Sequence, residues 1–506
     1  MQLTKKILAQ IKPQELAPAE SLFALPEKVL QFGTGVLLRG LPDHFIDKAN
    51  KQNVFNGRVV VIKSTATGGT DAFKEQDGLF TLLERGVENG KPSERTFINA
   101  SISRVLSANE EWDKIVQCAA DPEIRLIISN TTEVGINYLE SDVKAKKPQS
   151  FPGRVLSILM TRYEIFEGSA ESGMVIIPTE LIVDNGTKLK EIVLKLAVQK
   201  GVSETFLNWL KTANDFCNSL VDCIVPGKLA DAEQLEAEKQ LGYEDKLMIM
   251  SEPYRLWAIE TNSERTKKIL SFSQCDTGLV LAPDINKFRE LKLRLLNATH
   301  TLSCGLAHLS GFTTVKEAMQ HETFTNFVAS LMLQEISPLI VQNNITLAEA
   351  HQFAAQVIDR FKNPFIEHLW LNITAQYSSK MAMRTVPLIE KHYSISNEVP
   401  ERMAVGFAAF IAFMQSTKKD EVQYYGMNGE RSYKINDDKA SILYAHWQTP
   451  DQQTMVNHIL TDVSVFGTDL TQYPGFAEAV NSHLSSLRNQ GAENTLRSIF
   501  AKKSVA

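Results

Sequence analysis

The chain opens with short apolar runs that alternate with amphipathic stretches. KVLQF (28–32), RVVVIKS (58–64), RLIISN (125–130), GMVIIPTEL (173–181) and LMIMSEP (247–253) are rich in β-branched and long aliphatic residues. Runs of that kind predict strands buried on both faces. Between them, LLRGLPDHFIDKAN, ANEEWDKIVQCAA and TKLKEIVLKLAVQ repeat their apolar positions at helical spacing. Strands alternating with helices predict a mostly parallel, doubly wound sheet. Near residue 285 the period changes. INKFRELKLRLLNATHTLSCGLAHL and PERMAVGFAAFIAFMQST hold a helical repeat, and VQYYGM is the one strand-like run left. The boundary is expected near VLAPDINK (280–287), where Pro283 and Asp284 punctuate the chain. The expected organisation is an α/β Rossmann-type doubly wound domain over residues 1–285 and a mostly α-helical domain over 286–506.

Composition narrows the function classes. At 506 residues the chain exceeds what one core supports, so two domains are the default. A net charge of −6 argues against a nucleic-acid partner, which calls for a basic excess. No stretch approaches the ~20 apolar residues of a membrane span. MQLTKKILAQIKPQEL has neither an apolar core nor a small-residue cleavage site, so no secretory signal is expected there. The five cysteines (118, 217, 223, 275 and 304) are scattered and lack C-x-x-C spacing. Neither a disulfide framework nor a zinc site is expected, and a reduced cytoplasmic compartment fits. The pattern sets no oligomeric state, a monomer included.

The first candidate chemistry follows the first strand. KVLQFGTGVLLRG runs from apolar strand through G-x-G into a helical pattern. Gly33 suits the tight turn, and Gly35 and Val36 suit close approach of a pyrophosphate to backbone at a helix start. Arg39, one turn on, offers a charged contact. Leu38 holds the place of a third glycine, so the fingerprint is incomplete, and a structural turn is the alternative. The second strand ends Lys63-Ser64-Thr65 with no acid at its tip, where an Asp or Glu would bind the ribose hydroxyls of NAD. These residues leave NAD and NADP open.

The second candidate is LKLRLLNATH (291–300), where Lys292, Asn297 and His300 interrupt an apolar run. On an α-helix Asn297 and His300 share a face, while Lys292 lies about 140° from Asn297. The plain alternative is a solvated lysine beside an inter-helix hydrogen bond. The chemical reading is hydride transfer between an alcohol and a carbonyl. A lysine serves as acid/base, a carboxamide holds the developing oxyanion, and an imidazole orients the substrate.

K-x4-N-x2-H just beyond a long nucleotide-binding domain resembles the polyol-specific long-chain dehydrogenase/reductase family, which includes the mannitol dehydrogenases. The resemblance runs through G-T-G-V-L-L-R-G (33–40), T-T-E-V-G (131–135), N-S-L-V-D (218–222), S-E-P-Y-R-L-W (251–257), S-S-K (378–380) and R-T-V-P (384–387). It implies that Lys292 is the general acid/base, Asn297 polarises the reacting oxygen and His300 positions the substrate. It also implies that Glu133 lies on the proton path to solvent, that Val221 and Asp222 contact the nicotinamide side of the coenzyme, and that Lys380 contacts substrate. The implied coenzyme is NAD, with no metal.

Two departures stand out. Mannitol dehydrogenases carry a second oxyanion-site asparagine, and this chain has Pro178-Thr179-Glu180-Leu181 there, which resembles the uronate-reducing branch. The family's V-D-R-I is here Val221-Asp222-Cys223-Ile224. A uronate carries a carboxylate and calls for a cation in its site. Arg384 and Lys380, in SSKMAMRTVP, are the candidates, with Arg255 a third. The reaction expected is interconversion of D-tagaturonate and D-altronate. Fructuronate or mannitol chemistry is the near alternative. A non-catalytic nucleotide sensor, or a metal-dependent lyase built on His300 and His308, is the distant one.

Overall fold

The computed structural model describes residues 1–65, 69–131, 135–341, 344–418 and 422–501. The buried apolar runs form a six-stranded sheet in which every neighbouring pair is parallel. Its spatial order is Ile102–Ser107, Arg58–Lys63, Glu27–Phe32, Leu126–Ser129, Val175–Pro178, Asp215–Phe216. Successive side chains of a strand point to opposite faces. Leu30, Phe32, Val60 and Ile62 accordingly join one apolar cluster with the helices Phe151–Ile165 and Asn185–Lys200. Val29, Val59 and Val61 join a second cluster with the helix Pro42–Lys51. The strand order reverses between Glu27–Phe32 and Leu126–Ser129, so the carboxyl ends at Phe32 and Ser129 border the switch point where such sheets take ligands.

Two smaller sheets flank this one in the sequence. LMIMSEP forms a strand, Ile249–Ser251, but it pairs with Phe80–Glu88 in a separate three-stranded sheet completed by Lys91–Asn99. Ser219–Asp222, Leu256–Glu260 and Leu279–Ala282 form the other. By its internal contacts the chain divides into two compact units. Met1–Arg85 with Pro92–Ile285 makes the first, and Gly86–Lys91 with Asn286–Ala506 makes the second.

The second unit is mostly helical. Its centre is Glu401–Phe413, nearly all of whose residues are buried, packed against Thr299–Leu309 and Phe476–Ala501. Gly305 lets two of these helices approach closely, because a Cβ there would lie 3.0 Å from the Ala409 carbonyl oxygen and 2.8 Å from the Tyr377 hydroxyl. VQYYGM falls in Tyr424–Asn428, the middle strand of a small antiparallel sheet with Thr417–Lys418 and Arg431–Ile435. Among the described residues three stretches are π-helical: Lys292–Ala298, Leu331–Ile336 and Met381–Thr385. Among the described residues no helix is long and apolar enough to cross a membrane.

One buried acid gives the first unit a pH signature. Asp43 is fully buried, and Gln31 Nε2 donates to its Oδ2 at 3.1 Å. Its Oδ1 has no partner among the described residues. Burial pushes its carboxyl from the usual 3.8 up to about 7, against the pull of Gln31 and Arg39. The folded state therefore holds the proton more tightly than the unfolded chain. The stabilisation is fully present below about pH 4 and is lost as pH rises through about 7. Asp43→Asn is expected to flatten the fall of the unfolding midpoint between pH 5 and pH 8. Thermal melts of both proteins across that range check it, and parallel slopes would count against a protonated Asp43.

Candidate active site

In the first unit, the turn after Glu27–Phe32 is built around Gly33. Its φ is +134°, and an added Cβ would meet Leu38 Cδ1 at 2.8 Å and the Asn130 carbonyl oxygen at 3.0 Å. Its N–H donates to the Ile62 carbonyl at 3.0 Å, which ties the turn to the second strand. A side chain at this position is excluded on both grounds. Gly35 is exposed and caps the helix Val36–Gly40, and a Cβ there would meet nothing within 4 Å. The turn therefore presents open backbone at the switch point. Val36 is half-buried. That helix is only five residues long before Leu41 interrupts it, so its end contributes less dipole than the sequence pattern implies.

Arg39 must be corrected. It is 7 % exposed, donates from Nη1 to the Leu247 carbonyl, and lies over the rings of Phe73 and Phe80 at 5.7 and 5.3 Å. Burial lowers its guanidinium to about 10. It holds the fold together from inside and leaves the set of coenzyme contacts. Arg255 is corrected on similar grounds. It pairs with Glu84 and with Asp276, so its charge is already met. Lys63, the last residue of its strand, is buried and donates from Nζ to the Thr65 carbonyl at 2.6 Å. Val221 and Asp222 are both buried in Ser219–Asp222, with Asp222 in register with Leu256. Glu133 lies outside the described residues. Glu180, in the stretch that lacks the second asparagine, is buried and accepts from the Thr131 backbone N–H and hydroxyl, both at 2.8 Å. It anchors the residue two before Glu133, a role that no local pattern signals.

In the second unit, Lys292 and Asn297 open and nearly close the π-helical stretch Lys292–Ala298. An α-helix would hold them far apart round its axis. A π-helix bonds residue i to i+5, so residues five apart stack one above the other. The wide turn therefore puts Lys292 and Asn297 on one face. Both are half-buried, and the Asn297 carboxamide makes no hydrogen bond among the described residues. His300 follows in the first turn of Thr299–Leu309. It is 8 % exposed, stacks on Phe361 with ring centroids 4.1 Å apart and planes 10° apart, and meets Trp370 edge-on at 5.9 Å. Its Nε2 has no partner among the described residues. Burial holds its pKa well below the usual 6.5, helped by His368, Arg360, Arg384 and Lys380, so the ring is neutral. His308 points elsewhere, packed against Tyr433 and Phe413. Among the described residues no three His, Cys, Asp or Glu side chains are placed to hold a metal ion.

Lys380 ends the helix Tyr377–Lys380, and Arg384 sits in the π-helical stretch that follows. Arg294, from the first π-helical stretch, donates to the carbonyls of Met383 (3.3 Å) and Arg384 (2.9 Å) and so ties the two wide turns together. Arg384 donates from Nη1 to the Thr301 hydroxyl at 3.3 Å, next in sequence to His300. Lys380 donates from Nζ to the Ile373 carbonyl at 2.8 Å. Neither cation forms an ion pair with a carboxylate among the described residues. Burial lowers both pKa values, and Arg384 lowers that of Lys380 further. The structure thus gathers His300, Lys380 and Arg384 into one cationic cluster, with Asn297 three residues before His300 on the same helical run. Phe361, His368 and Trp370 belong to it as well, and nothing in their local sequence links them to His300.

A parallel sheet in this order, with an open glycine turn at its switch point, is the architecture of a dinucleotide-dependent enzyme. Residues 27–271 match the mannitol dehydrogenase Rossmann domain, and residues 284–488 match the mannitol dehydrogenase C-terminal domain. The chain belongs to the mannitol dehydrogenase family and is a dehydrogenase acting on CH–OH groups. It is 36% identical to an altronate oxidoreductase of Halalkalibacterium halodurans over 94% of each chain. It is 33% identical to an altronate oxidoreductase of Bacillus subtilis, over 93% of this chain and 95% of that one. Among solved structures, mannitol 2-dehydrogenase of Pseudomonas fluorescens in complex with NAD and D-mannitol superposes with a TM-score of 0.68 at 23% identity, covering 99% of this chain and 100% of that one. A D-sorbitol dehydrogenase gives 0.78 at 17% identity, covering 98% and 100%. At those identities the structural likeness speaks for the fold.

Proposed function

We propose that this dehydrogenase uses NAD to interconvert D-tagaturonate and D-altronate. The observation that carries the sugar-acid reading is the pair of half-buried cations, Lys380 and Arg384, held beside His300 and in no ion pair with a carboxylate among the described residues. Two desolvated positive charges raise each other's cost, and a substrate carboxylate relieves it. A neutral polyol has no such complement. The relatives named as altronate oxidoreductases favour this sugar acid.

The residues of the first unit fit a dinucleotide, since Gly33 and Gly35 keep the turn narrow and its backbone uncovered. The tethered amine of Lys63 offers little to a 2′-phosphate, which favours NAD over NADP. When bound, the coenzyme supplies or accepts the hydride. The chain's own residues do the rest. Lys292 gives a proton to the carbonyl oxygen in reduction and takes it back in oxidation. The Asn297 carboxamide donates to that oxygen as negative charge develops. Neutral His300 hydrogen-bonds a substrate oxygen, and Arg384 with Lys380 holds the carboxylate.

Turnover of tagaturonate, fructuronate and fructose, each with NADH and with NADPH, tests this. The highest kcat/KM is expected for tagaturonate with NADH. A preference for fructose, or no turnover of either uronate, would overturn the sugar-acid reading.

A further inference from the structure

We propose that His368 is a specificity-determining residue that hydrogen-bonds the acid end of the substrate beside Arg384 and Lys380. The inference rests on the sugar-acid reading above and adds a group to it that no motif marks. His368 meets His300 edge-on, with ring centroids 5.2 Å apart. Its backbone is pinned. The His368 carbonyl accepts from the Val315 N–H at 2.9 Å, the Trp370 N–H donates to the Thr313 carbonyl at 3.1 Å, and Leu369 bridges Thr314. The ring itself is half-buried and forms no hydrogen bond among the described residues. A fixed imidazole with both nitrogens uncommitted is costly to hold in a partly desolvated place unless a ligand uses it.

Its surroundings say what that ligand is. The charges that act on His300 are those of His368, Arg360, Arg384 and Lys380, and the charge that acts on His368 is that of Lys380. The one carboxylate acting on Lys380 is Asp437, and its oxygens already accept from the backbone N–H groups of Ser378 at 2.7 Å and Lys439 at 2.8 Å. Cationic groups and hydrogen-bond donors converge here, and among the described residues the carboxylate acting on Lys380 is already engaged. That is the complement of an anionic oxygen pair. Arg384 and Lys380 supply charge, and the neutral His368 ring supplies a directed N–H.

The test compares His368→Phe with wild type on tagaturonate and fructose. Phe keeps a ring against His300 and deletes the donor. The ratio of KM for tagaturonate to KM for fructose is expected to rise about tenfold, the loss of one hydrogen bond to a charged group. His368→Ala, which can only open space, is measured in parallel with the same expectation. It keeps the test decisive should Phe prevent folding, as judged by NADH binding and a cooperative melt. A ratio within about twofold of wild type in the folded variants overturns the assignment, and so do equal rises in both KM values. Wild type that ignores every uronate would instead overturn the sugar-acid reading.

Discussion

Lys292→Ala is expected to bind NADH with near-normal affinity and to lose turnover by about 10²-fold or more, the usual worth of a positioned acid/base. The expectation rests on the wide turn at Lys292–Ala298, which stacks Lys292 with Asn297 one turn before His300. Removing the ammonium leaves the carboxamide and the imidazole in place. Orientation and oxyanion donation survive, and proton transfer falls to water. The loss should therefore appear in kcat and kcat/KM together, as it does when an interaction made in the transition state is deleted. Fluorescence titration of NADH and steady-state rates on tagaturonate measure the two halves separately. A variant with wild-type rates refutes the acid/base role. One that no longer binds NADH refutes the confinement of the effect to proton transfer.

Arg384→Ala carries the other large effect. The KM for a uronate should rise roughly 10- to 100-fold, the loss of a charge-assisted hydrogen bond, while the KM for fructose moves far less. Arg384 also donates to Thr301, so its removal costs a contact near His300 whichever sugar is bound. That shared cost falls equally on the two substrates and cancels in the comparison. The backbone link from Arg294 to the Arg384 carbonyl is untouched by a side-chain change. Arg384→Lys keeps a charge without the planar fork and should fall between Ala and wild type. Equal penalties on uronate and ketose would remove the carboxylate role.

The strands buried on both faces were legible from composition alone. KVLQF and RVVVIKS fall on Glu27–Phe32 and Arg58–Lys63 almost residue for residue, because a strand covered by helices on each side admits little polar alternation. Lys91–Asn99 escaped for the opposite reason. Four of its nine residues are exposed and only the last two are buried, so KPSERTFIN has no apolar face to betray a strand. LMIMSEP reads as a strand and is one, but its place in a second sheet depends on Phe80–Glu88, some 165 residues earlier, and no local pattern encodes that pairing. Arg39 shows the same limit at a candidate site. Its sequence neighbours place it beside the glycine turn, whereas Phe73, Phe80 and the Leu247 carbonyl draw it inward from distant segments. The K-x4-N-x2-H spacing was visible, yet an α-helical wheel sets its first two members apart. The stack on Phe361 and the neighbouring His368 lie some sixty residues downstream, with no periodicity joining them to His300.

A widened coil takes up one more residue per hydrogen-bonded turn than an ordinary one, which ties the spacing between positions 292 and 297 to the kind of coil that carries it. Take one amino acid out of that stretch and the backbone can settle into standard i→i+4 bonding, with the apolar side still largely covered. With the pair then four residues apart, the ammonium and the amide would stand about 40° round the axis from each other and still share a face. A homologue that kept the full spacing but lost the wide turn would set the two about 140° apart, so at this spot five-residue spacing and π-helical bonding belong together.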